Sequence, residues 1–162
     1  MIVIVASTAL GYRHTRLLHE SQGVVAHTWG VIAQLRAVHA TLVDAESGAS
    51  GYAITGDEAH LAPHESANGA IEQRLYQLEQ LTEEDAPQRA RVDRLRQAVR
   101  ARSVALGDVV DAARAGDMAG AARAVGTGEG RRLMDAVRRL ISEMEEKELI
   151  ILDERLATAS KS

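Results

Sequence analysis

His60 and His64 stand four positions apart, the spacing at which two imidazoles on one helix can share a zinc ion. Pro63 lies between them and reads as a break in helical register, and the chain has no cysteine that could complete a thiolate site. The pair reads as exposed turn histidines, and neither a metal nor any other cofactor is expected. Gly126, Gly128 and Gly130 form a second candidate, a glycine-rich turn of the kind that cradles phosphate. Such a cradle needs a lysine and a hydroxyl residue, but Arg131-Arg132 follows and no strand pattern precedes it. It reads as a helix-start loop. His39, Glu46 and Glu148 are different, because they fall on otherwise apolar helical stripes. His39 lies 16 residues before Thr55 and Glu148 lies 18 after Gly130. At about 1.5 Å per residue these depths nearly match. Either the two side chains pair inside the bundle, or each reaches outward to water.

The elements that must position these residues are helices. A chain of 162 residues is one domain's worth. It has one tryptophan, three tyrosines, no phenylalanine and two prolines, so its core must be filled by Leu, Ile, Val, Ala and Met. The first long helix is expected to run to Ile54. Its positions Val31, Leu35, Val38, Leu42, Ala45, Ala49 and Tyr52 alternate steps of four and three. A second stripe, from Thr28 and Ile32 through His39 to Glu46, lies beside the first. Two adjacent stripes mean a helix with two helical neighbours. A second helix is expected from Pro63 to about Glu84, with Ile71, Leu75, Leu78 and Leu81 inward. A third is opened by Asp85, Pro87 and Gln88, which have capping-box spacing. It carries Val92, Leu95, Val99, Leu106, Val109 and Val110 to Gly116. The last runs from Glu129 to Ala159, with Leu133, Val137, Leu140, Ile141, Met144 and Ile151 inward.

Two corners punctuate this pattern. Gly48, Gly51 and Gly56 interrupt the end of the first helix, where each glycine costs about 1 kcal/mol against alanine. Close helix contact explains the first two, and a helix stop followed by an Asp57 N-cap explains the third. Gly116-Asp117 repeats that corner, so the chain reads as two similar helical hairpins. The expected fold is all-α, an antiparallel up-down-up-down four-helix bundle with short helical turns at both Gly-Asp corners.

Several of these residues resemble the third type of CHASE domain, a sensory module found outside the cytoplasm between two transmembrane helices of bacterial receptors. The resemblance rests on Asp44-Ala45-Glu46-Ser47-Gly48, Gly51-Tyr52, Thr55-Gly56-Asp57 and Leu61-Ala62-Pro63. It extends upstream to His27-Thr28 and resumes at Thr127-Gly128-Glu129-Gly130, Leu133-Met134-Asp135, Glu148, Ile151-Leu152 and Arg155. His64 stands where the family usually has an aromatic, and Ala53-Ile54 replaces a pair of leucines. The resemblance implies signal input to an output module such as a histidine kinase, in response to an unknown small molecule or physical stimulus. It also implies a site at the extracytoplasmic, periplasmic face of the inner membrane and a weak homodimer. His27 and Thr28 would meet Arg155 near the membrane-proximal end, and with His39 and Glu148 would couple the first helix to the last.

The termini and charge fit that reading. Met1 to Leu10 is apolar, but far shorter than the roughly 20 residues that span a bilayer. Residues 1–19 read as the tail of a transmembrane helix leading into the first bundle helix, with Tyr12 and Arg13 as interfacial anchors. An ordinary amphipathic helix start is the alternative. Residues 20–159 form the bundle, and 160–162 a stub toward a second membrane segment. His19-Glu20 pairs the residues of a phosphoacceptor site, but Ser21-Gln22-Gly23 follows without the sequence such sites carry, and no enzymatic activity is expected. A net charge of −4 gives no surplus of cations for nucleic acid, and the arginines between Gln88 and Arg102 read as a solvated face. The competing class is a stand-alone cytoplasmic scaffold or adaptor.

Overall fold

Three aspartates set the helix boundaries by taking backbone amides that no carbonyl can reach. Asp57 Oδ1 accepts from Ala59 N at 2.9 Å, Asp85 Oδ1 from Gln88 N at 2.9 Å, and Asp117 Oδ1 from Gly120 N at 2.7 Å. Gly56 and Gly116 precede two of them at φ +69° and +76°, a left-handed conformation that strains any residue with a Cβ. In a computed structural model, which describes the backbone of residues 2–159 and the side chains of 22–158, these stops delimit five helices. They are α1 (Ile2–Thr55), α2 (Leu61–Leu81), α3 (Ala86–Arg114), the short α4 (Met118–Gly126) and α5 (Glu129–Ala159), with a 3-10 turn at Glu58–His60.

The four long helices run up, down, up and down. Arg114 Nη2 at the end of α3 meets Glu65 Oε1 at the start of α2 at 2.8 Å, which puts both Gly-Asp corners at one end, called upper here. The Leu81–Ala86 turn is at the lower end. Among the described residues α1 touches α2, α3 and α5, whereas α2 and α5 do not meet. The first helix thus has three long neighbours, one more than its two stripes demand. Every residue of its principal stripe, from Val31 to Tyr52, is buried. Ile71, Leu75, Leu78, Val92, Leu95 and Val99 oppose it, and each such side chain contributes about 1.5–3 kcal/mol by leaving water.

Four details differ from the sequence reading. α2 stops at Leu81: Thr82 is its C-cap, its amide shared between Leu78 O and Glu79 O, and the chain turns away through Asp85 N to Thr82 O at 2.9 Å, before Glu84 can join the helix. On α5 the buried residue of the first turns is Met134, with Leu133 only half-covered. Pro63 does not break register, since it sits in the first turn of α2 where no amide is needed; the break falls one turn earlier, at His60. The second hairpin departs from the first because α4, with 9 residues, carries the chain back down before α5 begins, while the 3-10 turn runs straight into α2. No helix among the described residues is long and apolar enough to cross a membrane. The expected membrane tail in 1–19 and the stub at 160–162 lie outside the residues whose side chains are described.

Candidate functional site

The seam between α1 and α5 is fixed by polar contacts along its solvent edge. Arg36 Nε donates to Glu145 Oε1 at 2.8 Å, and Arg138 Nε donates to His39 Nε2 at 3.3 Å. These contacts correct the expected His39–Glu148 pair. They set Gly130 level with about residues 47–51 of α1, so α1 rises roughly a turn and a half above the start of α5. Counting both helices from a common upper level therefore misplaced Glu148 by about 9 Å along the axis. His39 remains half-buried at the surface, and Glu148 lies in the interior.

Glu148 is 3% exposed and accepts from Gln88 Nε2 at 2.7 Å. Gln88 therefore does not reach back to close a capping box with Asp85; its side chain crosses to α5 instead. Beneath this pair a broad open cleft of about 1090 Å³ is lined by His27, Glu148, Ile151 and Arg155, together with the α2–α3 turn. The structure thus brings His27 and Arg155 to one cleft. Thr28 is 1% exposed, and its hydroxyl is buried without a hydrogen-bond partner. The expected Thr28–Arg155 hydrogen bond is not formed, since Arg155 lies about one turn below Thr28 and faces water.

A second polar pair, with one partner buried, lies near the upper end. Arg102 Nη2 meets Glu46 Oε1 at 2.9 Å, with the guanidinium side chain 6% exposed and the carboxylate 40%. The solvated face expected for the arginines between Gln88 and Arg102 is corrected here. Arg102 is inside, Arg96 pairs with Glu79, and Arg100 bonds Glu72 at 3.2 Å, so three of these arginines tie α3 to its neighbours. The hydrogen bond that Arg96 donates to Glu79 holds the guanidinium above its ordinary pKa, with burial opposing part of that effect. Sequence reasoning missed Gln88 and Arg102. Their signal was positional: Gln88, Val92, Leu95, Val99, Arg102 and Leu106 alternate steps of four and three, so both polar residues occupy core sites.

The signature residues of the first corner have packing roles. Gly48 lies under the helix start, where an added Cβ would meet His60 O at 2.5 Å, and one on Gly51 would meet His60 Cγ at 2.9 Å. Tyr52 is buried, whereas Asp44 is exposed beside a shallow groove with His60 and Pro63. His60 is exposed as expected, but His64 is half-covered and its Nδ1 is buried without a partner. No cluster of three or more metal-ligating side chains occurs among the described residues.

Burial lowers the His64 pKa below its ordinary value; Glu65 opposes the shift, Arg114 adds to it and Asp111 opposes it. A group whose folded pKa is depressed contributes stability above its unfolded pKa, and that contribution is lost as pH falls through the folded value. Stability is expected to drop between pH 7.5 and 5.5 partly because the imidazole must charge in its covered site. Thermal melts of His64→Gln at the two pH values should show a smaller drop than the parent chain. Equal drops would mean that His64 takes no part.

The chain is an antiparallel helical bundle whose helices are joined by polar ties as well as by an apolar core. The profile of the CHASE3 domain family matches residues 21–158, and the chain belongs to that family of sensory domains. Its fold is also that of a solved structure, the sensor domain of the histidine kinase HK9 of Rhodopseudomonas palustris. The TM-score is 0.71 at 23% identity, and the match covers 76% of this chain and 97% of that one. No curated protein matches the sequence.

Proposed function

We propose that this chain is the non-catalytic input module of a membrane-bound bacterial receptor, displayed on the periplasmic face and coupled through flanking transmembrane helices to a cytoplasmic histidine kinase output. The observation that carries this reading is the direct α1–α5 seam. The first and last helices are antiparallel and locked by Arg36–Glu145 and Arg138–His39, so both leave the bundle at the lower end. A stimulus that favours one packing of these helices shifts their relative position, and a shift of one residue of register moves them by about 1.5 Å. The His27–Arg155–Glu148 cleft lies where such motion is largest in consequence, and Thr28 lies at the same level on α1.

Positions 36 and 145 face each other across the seam and are the place to probe it. In the full receptor, cysteines replacing Arg36 and Glu145 should be bridged by a short bis-maleimide with a yield that changes with stimulus. Bridging should lock output high or low. A bridged receptor that still responds normally would show that motion between these helices is not the signal. The homodimer is weak in this reading, because flanking segments supply the effective concentration of the partner. Sedimentation of the isolated chain should show monomers at micromolar protein, and a nanomolar dimer would assign assembly to the bundle itself.

A further inference from the structure

Below the Arg36–Glu145 contact the solvent edge of the α1–α5 seam changes character. Above it the edge is polar, with Arg36 and Glu145, then His39 and Arg138, bonded across it. Trp29 stands one heptad below Arg36, and Leu149, Leu152 and Leu156 stand four, seven and eleven residues below Glu145. Those steps return a helix to the same face. The seam register sets Trp29 level with about residues 148–152 of α5, and Val25 about one turn lower, toward Leu156. Trp29 is 51% exposed, Leu149 47% and Leu156 37%, while Val25 and Leu152 are half-covered. Five apolar side chains from two helices thus share one face and leave roughly 300–400 Å² of apolar surface in water. Exposed apolar residues are ordinary when they stand singly, but these adjoin. In addition, α1 carries no Asp, Glu, Lys or Arg between Glu20 and Arg36, although Ala26, Trp29 and Ala33 are exposed there.

We propose that this face binds a second copy of the chain, in a parallel two-fold dimer with α1 at the axis. Depletion of charge around an aromatic anchor is the composition of an interface core. The charges also choose which helix lies at the axis. Glu146 and Asp153 are exposed on the outer side of the α5 leucines, and across an axis centred on α5 each would face its own copy. An axis beside α1 instead joins two uncharged faces and brings each Trp29 toward the leucines of the other copy. The parallel direction rests on the receptor reading above, which sends both ends of every copy to the same side; the face itself does not. α1 also continues down to Ile2, about 25 Å below the last described turn of α5, so two such helices would run on side by side. Area sets the strength. A stable interface takes about 800 Å² per partner, and this patch supplies about half of that. The dimer is therefore weak alone, with a Kd on the order of 10⁻⁴ M, and flanking segments reinforce it in the receptor. Because the patch spans both helices of the seam, a shift of α5 against α1 reshapes it.

Trp29 is the one tryptophan of the 162-residue chain, so its fluorescence reports on the face directly. Sedimentation of the whole chain from about 10 μM to about 1 mM should show the mass rising from monomer toward dimer. Over the same range the emission should move to shorter wavelength as the indole leaves water. Trp29→Glu and Leu149→Glu should each weaken association at least about tenfold, with helicity and melting unchanged because both side chains are half exposed. Ile150→Glu is the control: Ile150 is 41% exposed but lies about 100° further round α5 than Leu149, and association should not change. The chain has no cysteine, so Gln22→Cys adds a single thiol low on the exposed face of α1. Mild oxidation should link two copies of it in a parallel dimer, whereas an antiparallel dimer centred on Trp29 holds the thiols about 20 Å apart. A chain that stays monomeric with unmoved emission would leave the face to a different protein and overturn the proposal. Undiminished association in Trp29→Glu, or equal weakening by Ile150→Glu, would overturn it too. A dimer lost in Trp29→Glu but never linked through Gln22→Cys would overturn the parallel arrangement and count against the receptor reading that requires it, while the face stood.

Discussion

Gly48→Ala is expected to destabilise the domain by about 2 kcal/mol, although alanine is the better helix former. The helix preference alone would stabilise by about 1 kcal/mol. Opposing it, the new Cβ would stand 2.5 Å from His60 O, and that atom is backbone held by the Asp57 cap, so α1 and the α2 entry must move apart. Overpacking of this kind costs about 1–3 kcal/mol; backbone cannot swing aside as a side chain can, so the upper end applies and about 2 kcal/mol remains after the propensity gain. For a domain of this size the melting temperature should fall by roughly 4–8 °C. Two comparison variants separate the causes. Gly56→Val meets open space, but φ is +69°, so it should cost more than about 1 kcal/mol through backbone strain alone. Gly69→Ala lies in α2 with nothing within 4 Å and should stabilise. If Gly48→Ala behaves like Gly69→Ala in denaturant melts, the close approach of the 3-10 turn to α1 is wrong.

Gln88→Leu should also be costly, by about 2–3 kcal/mol, because it strands Glu148 at 3% exposure without the amide that donates to it at 2.7 Å. A hydrogen bond to a charged group contributes about 1.5–3 kcal/mol, and a buried partner left unsatisfied forfeits its desolvation as well. Replacing both residues by leucine should recover most of the loss, since two apolar side chains of similar size fill the same layer. A double-mutant cycle measured by urea unfolding gives the coupling directly. Additive losses would mean that Gln88 and Glu148 act independently, with water in the lower cleft satisfying the carboxylate.

These two layers show where periodicity stops being informative. The four-three spacing identifies which positions of α3 face the core, and it assigned Val92, Leu95, Val99 and Leu106 correctly. It placed Gln88 and Arg102 on the same seam, yet a polar side chain at a core position has no meaning until its partner is known. Those partners, Glu148 and Glu46, lie on other helices, 60 residues away for Gln88. Spacing within one helix carries nothing about axial offset between two.

Local rules, by contrast, were enough for the corners. Whether a helix stops at Gly56 depends on one left-handed residue and one capping carboxylate, both within a few positions of each other, so the sequence determined them. The same holds for Asp85 and Asp117, for the apolar stripe of α1, and for the resemblance carried by the Asp44–Pro63 signature. The level of His39 against α5 was decided only by tertiary structure. It depends on the length and direction of α4, which carries the chain downward before α5 begins, and on side chains from separate helices that meet only after packing. The Gln88–Glu148 pair and the level match of Trp29 with the α5 leucines follow from that offset, because a shift of about one and a half turns changes which side chains share a layer.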